Sequence, residues 1–301
     1  SMVQRSPDTE SHGCGYRFDQ DTSQGFSMTH MSGVGCPDEG DVFCTATTGP
    51  VQTATADFQS PYSHSNEQAS PGYYRVLLSR WNINAELTAT ERTGVARFTF
   101  PAGQPANILV PISHTLNSTA GAHVQVIGSR EIQGYIEDRA FCGNHQIYRV
   151  YFVMIFDRPF SSFGTWSCTT QSPGAPSSGT RDATQDTDDG WIGAYATWAP
   201  PSRAQTVTAK IAISYVDMAG ADNNLRAEAS GKSFAQIHHA AEAAWNRALG
   251  VIDISGGTPV ERTVFYTSLY HSLLMPSIIS DADGRYLGFD GNIHHVRAGH
   301  L

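Results

Sequence analysis

Lysine is almost missing from this 301-residue chain. Only Lys210 and Lys232 occur, and 19 Lys plus Arg face 28 Asp plus Glu, for a formal net charge of −9. Nucleic-acid binding needs clustered Lys and Arg, so that class of partner is excluded. The acidic balance also argues against an anionic membrane surface. No apolar run approaches the ~18–20 residues that cross a bilayer; the most apolar stretch, 148–156, is strand-sized. There is no CxxC pair to build a zinc ribbon. There is no GxSxG elbow, HExxH helix, P-loop or GxGxxG strand–helix unit. No repeat of fixed period points to a solenoid or propeller. Charged residues are 16%, against about 25% in an average soluble domain. Ser, Thr, Gly, Asn and Gln take their place, as in extracellular β proteins. No export signal opens the sequence, and the Ser1-Met2 start leaves room for one removed upstream. Residues 298–301 show no stop logic and read as a cut.

Five cysteines are present: Cys14, Cys36, Cys44, Cys142 and Cys168. Cys142 and Cys168 are spaced to bridge two strands; free buried thiols are the other reading, and spacing does not decide between them.

What is present is mostly strand-like. Residues 1–72 are turn-rich. From 73 onward, short β-branched or aromatic runs recur at 73–78, 85–90, 95–100, 107–111, 122–127 and 131–137, with Gly, Pro or Asn between them. That spacing predicts an antiparallel sandwich or barrel. Arg97-Phe98-Thr99-Phe100 alternates, so one face is buried and one wet. The longer run 146–156 predicts a central strand. Residues 169–190, rich in Ser, Thr, Gly, Pro and Asp, predict a surface insertion rather than a core element. Strand character returns at 191–198 and 206–216.

At Ser233 the period changes. Phe234, Ile237, Ala241, Ala244, Trp245, Ala248 and Leu249 recur at helical spacing, Ser233 is a fitting N-cap, and Gly250 is placed to stop the helix. Thr258-Pro259 predicts a second helix start, Pro fitting where its missing N–H costs nothing. This helix, carried by Val264, Phe265, Leu269, Leu273 and Leu274 to Pro276, is apolar nearly all round. It is expected to need more packing partners than the one other predicted helix provides.

Chemistry concentrates in two segments. Residues 25–41 combine glycines with His, Thr, Ser, Asp and Glu, a loop whose backbone can approach a ligand or simply turn tightly. Residues 280–291 begin DxDG but lack the ligand spacing and closing Glu of an EF-hand. They read as a turn directing Arg285 and Asp290 toward a polar ligand. The adjacent pairs His238-His239 and His294-His295 point their members apart, so neither predicts a two-ligand metal site. Cys36 has no evident base beside it. The five Trp could stack on sugars or pack the core.

Taken in order, the segments 25–41, 84–90 with 97–101, 151–160, 213–216, Phe265-Tyr266-Thr267-Ser268-Leu269-Tyr270-His271 and 280–290 resemble glycoside hydrolase family 92. The resemblance implies an exo-acting, inverting, calcium-dependent α-mannosidase, often secreted, whose N-terminal β sandwich packs on an (α/α)6 barrel. It implies a mainly β fold here: a large antiparallel β sandwich (1–226), a linker helix (227–257) and the start of a helical catalytic domain (258–301). The catalytic acid and base, and most calcium contacts, are then expected beyond residue 301, and no metal site is expected within the chain. By position, Gly35, Cys36 and Pro37 resemble the sandwich's contribution to the substrate pocket, and Asp290 a residue that hydrogen-bonds mannose hydroxyls. Where many α-1,2-specific members carry Trp this chain has Cys36, which leaves other linkages and mannosyl-phosphodiester cleavage open. The expected partners are mannose-containing glycans and a C-terminal helical domain, and the expected place is the cell exterior, periplasm or cell surface. The rival class is a stand-alone carbohydrate-binding sandwich, which would not need the apolar helices.

Overall fold

Alternating runs paired edge to edge form two antiparallel sheets. The computed structural model describes residues 2–3, 16, 18–30, 38–116, 118–139, 147–168, 174–186 and 190–297. Its main strands are β1 (Thr45–Thr48), β2 (Glu67–Ser70), β3 (Tyr73–Leu78), β4 (Ile83–Ala89), β5 (Thr93–Phe100), β6 (Ala106–Val110), β7 (Ser118–Ile127), β8 (Glu131–Arg139), β9 (Ile147–Phe156), β10 (Ser162–Trp166), β11 (Ser177–Ser178), β12 (Asp182–Gln185), β13 (Gly193–Trp198) and β14 (Gln205–Ser214). Nine form one sheet in the order β12-β7-β8-β9-β14-β5-β4-β3-β2, and five form the other as β11-β10-β13-β6-β1. The mainly β fold predicted above is therefore present.

The core lies between the sheets. Val150, Phe152, Met154 and Phe156 of β9 and Val207, Ala209 and Ile211 of β14 point inward with Phe98 and Phe100 of β5. Ile108, Val110, Ala194, Ala196 and Trp198 belong to the same cluster from the smaller sheet. Phe156 and Trp198 meet edge to face at 5.1 Å. The central strand is covered on both faces, because Val153 packs outward with Ala212 against Ala221 and Leu225 of a helix. This explains why 150–156 is apolar throughout rather than alternating.

That helix, α1 (Met218–Ala229), was not anticipated. Its buried face is built from Gly220, Ala221, Asn224, Leu225 and Ala229, so it carries little of the large-residue periodicity that marks an amphipathic helix. The insertion expected at 169–190 also needs correction. Asp182–Gln185 pairs with residues 122–125 as an edge strand of the large sheet, and Ala183 and Gln185 are buried. Polar composition disguised a strand of which only alternate residues face inward.

Helix α2 (Phe234–Leu249) begins with a Ser233–Gln236 capping box, and α3 (Pro259–Ser272) with a Thr258–Glu261 capping box and Pro at its start. Gly250 does cap α2, but at φ −77° rather than in the left-handed turn usual for a helix-stopping glycine. α2 buries only Phe234 and Ile237, and α3 buries no residue. Val260 is 71% exposed and Val264 58%, so this apolar helix lies uncovered, as its composition predicted. No helix of the described residues is long and apolar enough to cross a membrane.

Truncating Phe152, wholly buried in β9, is expected to cost about 3–5 kcal/mol of stability, measured by chemical denaturation of Phe152→Ala.

Candidate functional site

One end of the sandwich gathers the ends of β4, β8 and β14 and the starts of β5 and β9. Ala89 pairs with Gly94, Arg139 with Ile147, and Ser214 with Tyr151. Two features rise from this end: a hairpin carrying Asp290, and the neck of the 25–41 segment.

The hairpin consists of β15 (Arg285–Leu287) and β16 (Ile293–His295). Asp290 lies at its turn with its side chain half exposed. Asn292 donates to it from its backbone N–H and its amide (both 3.1 Å), and His294 Nε2 lies 3.0 Å away. Asn292 first and His294 second hold its carboxyl below the usual carboxylate range. It is thus an ionised acceptor at any ordinary pH. Arg285 does not point outward as expected. Its guanidinium grips Asp217 at 2.7 and 3.2 Å, and its Nε donates to Asp283 at 2.8 Å.

The hairpin is tied to the sandwich by a buried carboxylate that sequence reasoning passed over. Asp281 accepts from Ser214 Oγ (2.9 Å) at the end of β14 and from Asn224 Nδ2 (2.8 Å) in α1. Asn224 also donates to the Ile213 carbonyl and accepts from the Ala282 N–H. Arg92, on the β4–β5 turn, donates to the Ser280 carbonyl and to Glu228 of α1. Burial pushes the Asp281 carboxyl up, opposed by the Asn224 and Ser214 hydrogen bonds. Gly220 makes the socket possible, since a Cβ there would sit 2.1 Å from Asp281 Oδ2.

At the neck, Glu39 (φ 65°) and the β-branched Val42 (φ 53°) both occupy the left-handed region, a strained choice for side-chain-bearing residues. The Thr29 N–H reaches the Asp41 carbonyl, and the Asp41 N–H reaches Thr29 Oγ1 at 2.8 Å. The fully buried Asp41 carboxyl takes the Thr29 hydroxyl (3.0 Å) and meets Tyr148, which also meets Asp138. Tyr215 packs beside Tyr148 with ring centroids 6.4 Å apart. Burial, then Asp41 and Asp38, push the Glu39 carboxyl up to about 7. Beside the neck a cavity of about 700 Å³ runs past Met28 and Gly94, walled by Tyr16, Phe18, Tyr73 and Tyr270.

Of the predicted site residues, Asp290 is placed as described. Gly35, Cys36 and Pro37 lie outside the described residues, as do Cys14 and Cys142. Cys44 is buried, and burial pushes its thiol up to about 12, which removes it as a nucleophile. Trp166 and Trp198 are core residues, and Trp245 packs on Tyr270 at 4.7 Å. The signal that could have revealed Asp138 is its position. It follows Ile132, Gly134 and Ile136 on the inward face of β8, where a carboxylate must have a partner.

The 280–291 segment builds no calcium cage, because Asp281, Asp283 and Asp290 are turned to different partners: Ser214 and Asn224, Arg285, and Asn292. Among the described residues no group of three or more His, Cys, Asp or Glu side chains is arranged around a common point for a metal.

A large sandwich continuing into uncovered apolar helices is the architecture implied for the leading part of a sandwich-and-barrel glycosidase. The chain belongs to glycoside hydrolase family 92. It matches the Glycosyl hydrolase family 92 N-terminal domain over residues 1–214 and the Glycosyl hydrolase family 92 catalytic domain over residues 220–300. The family GH92 α-mannosidase BT3965 from Bacteroides thetaiotaomicron is similar at TM-score 0.83 and 32% identity, over 97% of this chain and 40% of that one. Its complex with mannoimidazole gives 0.82 and 32%, over 97% and 39%. The inverting mannosidase BT2199 of the same organism shares the fold at TM-score 0.80 and 24% identity, over 96% and 38%. The chain thus spans about 40% of the length of the first of these relatives. No curated protein matches it.

Gly220→Ala is expected to expel Asp281 although alanine favours helices by up to ~1 kcal/mol. Faster hydrogen exchange at the Ala282 amide, with α1 still folded, is the outcome to measure.

Proposed function

We propose that this chain is the substrate-binding, sandwich-bearing part of a secreted α-mannosidase-like glycoside hydrolase acting on mannose-containing glycans. The observation that carries this reading is the 32% identity over 97% of the chain to an α-mannosidase that is also solved with mannoimidazole. On this reading Asp290 accepts hydrogen bonds from mannose hydroxyls. A charged acceptor suits that task, at about 1.5–3 kcal/mol per bond. Gly35, Cys36 and Pro37 contribute the sandwich side of the pocket.

Inversion requires an acid and a base whose carboxyl groups stand ~6.5–9.5 Å apart across the scissile bond. The solvent-facing carboxylates of the described hairpin are engaged with Arg285, Asn292 and His294, so none is free for either role. The reading therefore assigns the acid, the base and the calcium ligands to the part of the relatives that this chain does not span. The uncovered face of α3 is the surface that such helices would cover.

The 301-residue chain by itself is expected to release no product from an aryl α-mannoside, with or without calcium, and turnover above a blank would overturn this division of labour. In saturation-transfer NMR, methyl α-mannoside is expected to contact the chain and to lose most of that contact in Asp290→Ala. An unchanged signal would remove Asp290 from the pocket.

A further inference from the structure

The neck contains two buried aspartates and too few hydrogens to satisfy them. Asp41 and Asp138 are both wholly buried, and their carboxyl groups are in hydrogen-bonding contact. Thr29 donates its hydroxyl to Asp41 Oδ2, and the Arg139 backbone N–H reaches Asp138. The single Tyr148 hydroxyl hydrogen is offered to Asp41 Oδ2 and Asp138 Oδ2, each 3.0 Å away. Among the described residues, Asp41 Oδ1 and Asp138 Oδ1 have no donor. Two ionised carboxylates cannot rest against each other in a dry site with acceptors unpaired.

We infer that Asp41 and Asp138 share one proton at neutral pH, and that this proton clamps the Thr29–Asp41 neck to the end of β8 and the start of β9. Its presence turns one carboxyl into a donor toward the other and removes one of the two buried charges. The surroundings favour it. Asp38 and Glu39 on the neck add negative charge, the Tyr148 and Tyr215 hydroxyls stay neutral because burial raises them, and the neighbouring cation, Arg139, reaches Asp138 through its backbone.

The pH dependence follows from the sign of the shift. Burial and then Asp41 push the Asp138 carboxyl up from 3.8 to about 9, and the pair titrates as a unit. Between those values the folded chain keeps a proton that the unfolded chain releases. Stability is therefore greatest at the acid end of the window, falls as pH rises through it, and levels off above about 9. One proton shifts the unfolding constant about tenfold per pH unit. Glu39, pushed up to about 7, adds to the slope only in the lower part of the window.

The clamp rests on this geometry alone and stands or falls independently of the mannosidase reading. Difference infrared spectra of the whole chain at pH 8 are expected to show the carbonyl stretch of a buried protonated carboxyl. The band should bleach as pH is raised past 9, vanish in Asp138→Asn and in Asp41→Asn, and persist in Glu39→Gln. Its absence from the unmodified chain, or its survival in Asp138→Asn, overturns the sharing. Hydrogen exchange of the Thr29 and Asp41 amides, corrected for intrinsic rates, is expected to quicken at least tenfold between pH 7 and pH 10 in the unmodified chain. It should stay flat in Asp138→Asn, whose amide supplies a permanent donor. Equal acceleration in both would mean that the neck opens for another reason.

Discussion

The central pair of strands, β9 and β14, must be kept dry on both faces, and much of the remaining architecture answers to that demand. Their inward residues are covered by the smaller sheet, and their outward residues Val153 and Ala212 are covered by α1. A helix lying this close needs small residues at the contact, which is why Gly220 and Ala221 occupy its first turns. The same closeness brings Asn224 beside Ser214 and so creates the socket that receives Asp281. The placement of the Asp290 hairpin is thus a consequence of how the sheet is sealed.

Polar groups at this end of the sandwich are organised rather than merely exposed. Asp217, Asp281 and Asp283 share the single cation Arg285 at the hairpin base, with Asp281 buried and its neighbours near solvent. The neck uses a different solution. Asp41 and Asp138 rest against each other, and their burial is compatible with that contact only if the charge is reduced by a proton. Two segments at this end of the sandwich are therefore rooted in different electrostatics: an ion-paired base under Asp290, and a protonated carboxyl under the 25–41 segment. The uncovered α3 leaves a further apolar surface exposed, with Val260 and Val264 facing solvent.

Much of the sandwich was legible because burial on one face of a strand imposes a period of two, and that period survives in single residues such as Arg97-Phe98-Thr99-Phe100. Helices α2 and α3 were legible from their caps, Ser233–Gln236 and Thr258–Glu261, since capping is a contact between residues three apart. Helix α1 was not legible, because its buried face consists of Gly, Ala and Asn. Neither was the strand at 182–185, whose inward pair, Ala183 and Gln185, is too small and too polar to announce burial.

The chain's own letters determined what local chemistry can decide: strand or helix, cap and stop, the scarcity of positive charge, and the apolar excess of α3. They also singled out Asp290 and the 25–41 segment. Only the folded arrangement decided that Asp281 fits between Ser214 and Asn224, that Arg285 turns inward to Asp217, and that Asp41 meets Asp138 across 97 positions of sequence. Such pairings depend on which strands become neighbours and at what register. That is settled by the burial of the whole core at once, so the information is not carried near either partner.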